Sequence, residues 1–220
     1  MASYSESFEI EFPKQTGAEE LANSVTHGLG MFLSVAGTVI LLTLAIQRQA
    51  DWWQLVATII YGASLTAVYA ASTFSHAIQQ PRRKQLFRIL DQAVIYCLIA
   101  GTYTPFILAY MPPERKWLVL IAVWLYAGWG FISKAVLKRQ IEAVVIANYI
   151  LLGWAPAMAM IGLMPMDCVL WMACGGILYT VGALFLMLDQ RVPFFHTIWH
   201  TFVLVASGLH FFAVMHFTIL

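Results

Sequence analysis

Long apolar runs alternate with brief polar breaks along nearly the whole chain. A membrane-crossing helix takes about 20 apolar residues, and seven runs reach that length: roughly 24–46, 53–75, 88–110, 117–137, 142–163, 167–188 and 195–219. The breaks between them are about three to twelve residues, too short for a soluble domain. The pattern predicts an all-α integral membrane protein, a bundle of seven transmembrane helices. Glycines recur inside the runs (Gly28, Gly30 and Gly37, then Gly175, Gly176 and Gly182), where small residues let helix backbones approach closely. Pro105 and Pro156 predict kinks in the third and fifth spans, and Trp52, Trp53, Trp117 and Trp171 near segment ends suit an interfacial belt.

Composition agrees with lipid as the main solvent. Of 220 residues, 61% are hydrophobic and 10% charged, where a soluble domain carries about 25%. The net charge of +1 gives no case for nucleic acid. Cys97, Cys168 and Cys174 are odd in number and sit in or beside apolar runs, so no disulfide framework is expected. The first 23 residues are polar and hold five acids, unlike a cleavable signal peptide.

Charge also predicts orientation. With seven spans, one side carries Lys14, Arg82, Arg83, Lys84, Arg88, Lys134, Lys138, Arg139 and Arg191, nine cations. The other carries Arg48, Arg115 and Lys116, three. The excess places the N-terminus in the cytoplasm and the C-terminus outside, with the basic cluster Arg82–Lys84 read as a cytoplasmic loop. All five lysines fall in loops or at their edges, which excludes a retinal Schiff base in the seventh span.

Ionisable residues inside spans are functional candidates by default. His76 ends the second span, with Ser72 one turn before it; Asp91 comes early in the third; His196 and His200 open the seventh; His27 begins the first, preceded by Glu20 and Asn23. Because alternate spans run in opposite directions, a rise of about 1.5 Å per residue puts His76, Asp91, His196 and His200 in one layer roughly 8 Å deep. His196 and His200 are four apart, on one face of a helix, a spacing by which two imidazoles grip one zinc ion. A catalytic zinc takes three protein ligands and leaves a fourth position to water. His76 completes the three, and Ser72 and Asp91 become groups that hold or deprotonate that water. Competing readings are two polar rings at headgroup depth for His196 and His200, an Asp91–Arg88 pair, and simple helix N-terminal roles for Glu20 and Asn23. His210 and His216 lie toward the other end and read as packing or interfacial.

These segments also carry a resemblance. Glu20-Leu-Ala-Asn23-Ser-Val-Thr-His27, Ser72-Thr-Phe-Ser-His76, Asp91 followed by Gly101-Thr-Tyr-Thr-Pro105-Phe, and His196-Thr-Ile-Trp-His200 resemble the successive motifs of the hemolysin III family, the bacterial branch of the progestin and adipoQ receptor superfamily. The resemblance divides the chain into a short polar cytoplasmic segment, 1–18, and a seven-helix hemolysin III-like domain, 19–220. It implies a zinc ion held by His76, His196 and His200, with Asp91 and Ser72 beside the metal, in a multi-pass protein of a bacterial inner membrane. Glu20, Asn23 and His27 are further polar neighbours of that site.

The function expected is a zinc-dependent intramembrane hydrolase of a lipid amide or ester, ceramidase-like, with Asp91 as general base and membrane lipid as substrate or ligand. A non-catalytic sensor of membrane state with structural zinc is the alternative, and a cytolysin, as the family name suggests, is a third. A pore former fits poorly, since such proteins are usually secreted in soluble form.

Overall fold

The computed structural model describes residues 15–135 and 142–220. Lys14, Lys138 and Arg139, three of the cations counted for orientation, and nearly all of the polar segment 1–18 lie outside the described residues. Among the described residues seven α-helices follow one another: α1 Gly17–Gln47, α2 Trp52–Ala77, α3 Pro81–Tyr110, α4 Pro113–Ala135, α5 Glu142–Met160, α6 Met166–Leu188 and α7 Phe195–Val214, the last running into a π-helical turn, Met215–Ile219. Six are long and apolar enough to cross a membrane, and α5 contributes a shorter apolar stretch, Val144–Met160.

Two helices begin about two turns before the apolar runs do, each for a local reason. At α1, Thr16 and Glu19 form a capping box: the Glu19 backbone N–H donates to Thr16 Oγ1 at 3.3 Å, and the Thr16 N–H donates to Glu19 Oε2 at 2.8 Å. At α3, Pro81 occupies the first position, where its fixed φ suits a helix and its missing N–H costs nothing. Hydropathy cannot see either signal. As a result Arg82, Arg83 and Lys84 lie in the first turn of α3 and not in a loop. Pro105 and Pro156 sit inside α3 and α5, and both helices continue past them.

Neighbours in sequence are mostly neighbours in space, and α1 packs on α7 to close the bundle. The outward faces of the helices carry apolar side chains such as Leu29, Phe32, Val39 and Ile46 of α1, the surface that lipid-facing spans require. Small residues set the closest approaches. A Cβ on Gly30 would stand 2.5 Å from the Tyr69 ring, and one on Gly101 would stand 2.2 Å from Ser64 Oγ. The α5 helix is packed less extensively than its neighbours. Behind it an apolar cavity of about 250 Å³ is lined by α3, α5, α6 and α7.

Candidate metal centre

Four helices deliver the site. The last turn of α2 brings His76, the first turns of α7 bring His196 and His200, α1 brings Glu20, Asn23 and His27, and α3 brings Asp91. Each of the three histidines His76, His196 and His200 offers a ring nitrogen, and the three atoms lie within 4.8 Å of one another, close enough to share a metal ion. Among the described residues no other set of three His, Cys, Asp or Glu side chains converges in this way.

The hydrogen bonds around these rings select the nitrogen that faces inward. His76 Nδ1 lies 2.8 Å from Glu20 Oε2, and His196 Nδ1 lies 2.7 Å from Asp189 Oδ2. His200 Nδ1 lies 3.3 Å from the Asn23 carbonyl. A carboxylate or a carbonyl can only accept, so Nδ1–H donates in each case and the lone pair of the neutral ring falls on Nε2. The Nε2 atoms of His76 and His196 are buried without a partner, and that of His200 has only Ser72 Oγ, at 3.4 Å. Buried polar atoms without partners are uncommon. Three inward-facing imidazole lone pairs, with Nδ1–H groups anchored on oxygen, suit zinc or a similar transition metal.

Glu20 does more than hold His76. Its Oε1 also takes Lys84 Nζ at 2.6 Å and Arg88 Nη2 at 3.1 Å. The cap at α1 is filled by Glu19, which leaves Glu20 to the site. Asn23 is tied on both sides: its Oδ1 accepts from Thr197 Oγ1 at 2.6 Å and its Nδ2 donates to Gln15 at 3.0 Å. His27 stacks on His200, ring centroids 3.5 Å apart and planes at 11°, with the Tyr69 ring edge-on at 5.1 Å. Both His27 nitrogens are buried without partners.

Asp91 stands beside the triad and not within the group whose ligand atoms converge. Its Oδ2 lies 3.4 Å from Ser75 Oγ. With His76 and His196 it lines a cavity of about 80 Å³, and with His27 it lines the mouth of the apolar cavity behind α5. A polar cleft of about 680 Å³ reaches His76 from the helix ends, past Glu20, Lys84 and Arg88. The site thus has a polar approach and an apolar one. His210, on α7, gives its Nε2–H to the Met172 carbonyl at 3.1 Å, and His216 lies in the π-helical turn.

Asp189, Ser75 and Lys84 are not singled out as site residues by the sequence, and Arg88, which the sequence offers as a partner for Asp91, lies against Glu20. Asp189 follows α6 and is separated from His196 by a connection in which Phe194 takes φ 63°, so helical spacing cannot relate the two. Ser75 lies next to His76 and was legible as a neighbour, although its reach toward Asp91 was not.

Comparison with known proteins extends the same pattern. The family described as "Haemolysin-III related" matches residues 16–211. The chain belongs to the haemolysin III family. It is 38% identical over 207 residues to a Bacillus cereus protein named "Hemolysin-3", covering 91% of this chain and 92% of that one. A "Hemolysin-3 homolog" of Bacillus subtilis (strain 168) is 35% identical, covering 91% and 95%. A human "Monocyte to macrophage differentiation factor" is 29% identical over 210 residues, covering 91% and 85%. The bacterial and human relatives therefore align along most of their length, and the chain is a multi-pass membrane protein of the haemolysin III family.

Proposed function

We propose that this haemolysin III protein is a zinc-dependent hydrolase of a lipid amide or ester, set in the inner membrane of a bacterium with its N-terminus and histidine centre toward the cytoplasm. One observation carries the reading: a ring nitrogen from each of three histidines converges, while Asp91, a carboxylate able to take a proton, lines a cavity with two of those rings. A structural site is usually closed by a fourth protein ligand, whereas three ligands with a free carboxylate nearby are the pattern of catalysis.

His76, His196 and His200 would hold the ion. Bound there, zinc would supply Lewis acidity, able to polarise a carbonyl oxygen and to lower the pKa of water toward neutrality. Glu20 and Asp189 keep two rings in the right tautomer. Asp91 takes the proton from water in the cavity of about 80 Å³ and returns it to the departing amine or alcohol. Ser72, within 3.4 Å of His200 Nε2, orients water or the carbonyl. The acyl chain enters the apolar cavity behind α5, and the headgroup faces the polar cleft of Lys84 and Arg88. Orientation rests on the surplus of Lys and Arg on the histidine side, and the bacterial setting is supported by the two Bacillus relatives.

The test uses purified protein in detergent, with zinc content and hydrolysis of a fluorogenic acyl amide measured together. Asp91→Asn keeps the size and removes the charge. Zinc should then bind only about 10- to 100-fold more weakly, while turnover in excess zinc falls about 10²- to 10⁴-fold. Ser72→Ala should show a milder form of this split. A zinc-loaded wild-type protein inert toward a broad panel of lipid amides and esters would reject the hydrolase and leave the sensor.

A further inference from the structure

The end of the bundle opposite the histidines holds a further, separate cavity, of about 650 Å³. It lies where α1 ends, α2 begins, α3 ends and α4 begins, with Thr218 and Ile219 of the π-helical turn along one wall. Arg48, just past α1, and Lys116, in the first turn of α4, both line it. Sequence reading assigned only three cations to this side of the protein, and two of them meet in one cavity. Neither is ion-paired among the described residues.

One carboxylate also faces the cavity, that of Asp51, but its Oδ1 accepts from the Gln54 backbone N–H at 2.9 Å as the cap of α2. Two cations against one such acid leave the lining positive. Gln54 lines the same cavity, is 8% exposed, and its side-chain Nε2 is buried with no acceptor. That amide is a donor still seeking an oxygen. Trp53 and Trp117 complete the wall, edge to face with centroids 4.9 Å apart, at the helix ends where tryptophan marks headgroup depth. Two unpaired cations and an unsatisfied amide donor, beside interfacial tryptophans, match a phosphate carried at the membrane surface.

We propose that this cavity binds an anionic phosphate group, either an acidic phospholipid headgroup or free phosphate, through Arg48, Lys116 and Gln54. The site is remote from the histidine centre and does not depend on zinc or hydrolysis.

Delipidated full-length protein would be titrated by native mass spectrometry with phosphatidylglycerol and with phosphatidylethanolamine, and by thermal shift with inorganic phosphate. The expected result is saturable binding of phosphatidylglycerol in preference to phosphatidylethanolamine, weakened about 30-fold in Arg48→Gln/Lys116→Gln, at roughly one unit of lipid-cation attraction per residue removed. Gln54→Met, similar in size but without the amide, should also weaken binding, and His76→Ala should leave it unchanged. Saturable binding of inorganic phosphate alone, with the same dependence on Arg48 and Lys116, would identify the free ion as the source. Folded variants, checked by gel filtration and helical circular dichroism, that bind phosphatidylglycerol and phosphate as wild type does would overturn the proposal. So would a wild-type protein that binds neither, or that binds phosphatidylethanolamine equally well.

Discussion

At the residue scale, the histidines divide by the company their nitrogens keep. His76, His196 and His200 each spend Nδ1–H on an oxygen and bring a ring nitrogen near the other two, while His210 spends its Nε2–H on the Met172 carbonyl. His76→Ala, His196→Ala or His200→Ala should therefore abolish tight zinc binding, and His210→Ala should retain about one zinc per chain by elemental analysis. The anchors of the rings should show a graded effect. Glu20→Ala and Asp189→Ala should each weaken zinc by about 10- to 100-fold in a chelator competition, with the metal still bound in excess. Glu20→Ala should also lower the melting temperature more than Asp189→Ala does. It strands Lys84 as well as His76, and an ion pair broken on one side leaves half-buried charge uncompensated. Equal zinc affinity in wild type and both anchor variants would show that the rings need no such support.

At the level of helices, glycines that look alike in sequence differ in what they permit. Gly28 and Gly30 are two residues apart on α1, yet a Cβ on Gly28 would meet only Thr73 Cγ2, at 3.7 Å, while one on Gly30 would meet the Tyr69 ring at 2.5 Å. Tyr69 leans on His27, which stacks on His200. Gly28→Ala should be neutral or stabilising by up to about 1 kcal/mol, the usual helix-propensity gain. Gly30→Ala gains the same propensity, but overpacking a core costs about 1–3 kcal/mol, so it should melt earlier. Because the displaced ring presses toward His27, zinc affinity should fall with it. A Gly30→Ala protein as stable and as zinc-competent as Gly28→Ala would contradict the packing. The glycines were legible as close-approach candidates; which of them touch a neighbour depends on the rotation of α1 against α2, which hydropathy does not encode.

Over the whole molecule, the metal would join parts of the fold that share little direct backbone contact. His76 belongs to α2 and His196 and His200 to α7, whereas the extensive packing of α2 is with α1 and α3. A ligand that binds only the folded state adds to its stability, about 2.7 kcal/mol when present at a hundred times its Kd. For a chain of this size that is about 5–10 °C in melting temperature. Stripping zinc with a chelator should lower the melting temperature by that amount and zinc should restore it; no change would mean the ion does not bridge the two helices. Orientation has its own test. Reporter fusions at Lys84 and after Leu220 should report opposite sides of the membrane, Lys84 cytoplasmic, and finding both on one side would remove an odd number of spans.

The sequence by itself determined how many apolar segments there are, roughly where they begin and end, and which polar groups share a depth. Those are local properties: twenty apolar residues partition into lipid wherever they fold, and a helix rises by a constant amount per residue. Depth is one coordinate, and it brought His76, Asp91, His196 and His200 into a single layer. Only the tertiary structure decided the other two. Lateral packing and helix rotation bring a ring nitrogen from each of three histidines within 4.8 Å of one another and hold Asp91 outside that group. They also set Asp189 against His196 across a connection with no regular spacing. At the far end they gather Arg48, Gln54 and Lys116 from three different helix ends around one cavity. Such meetings depend on residues far apart in the chain, so no window of sequence contains them.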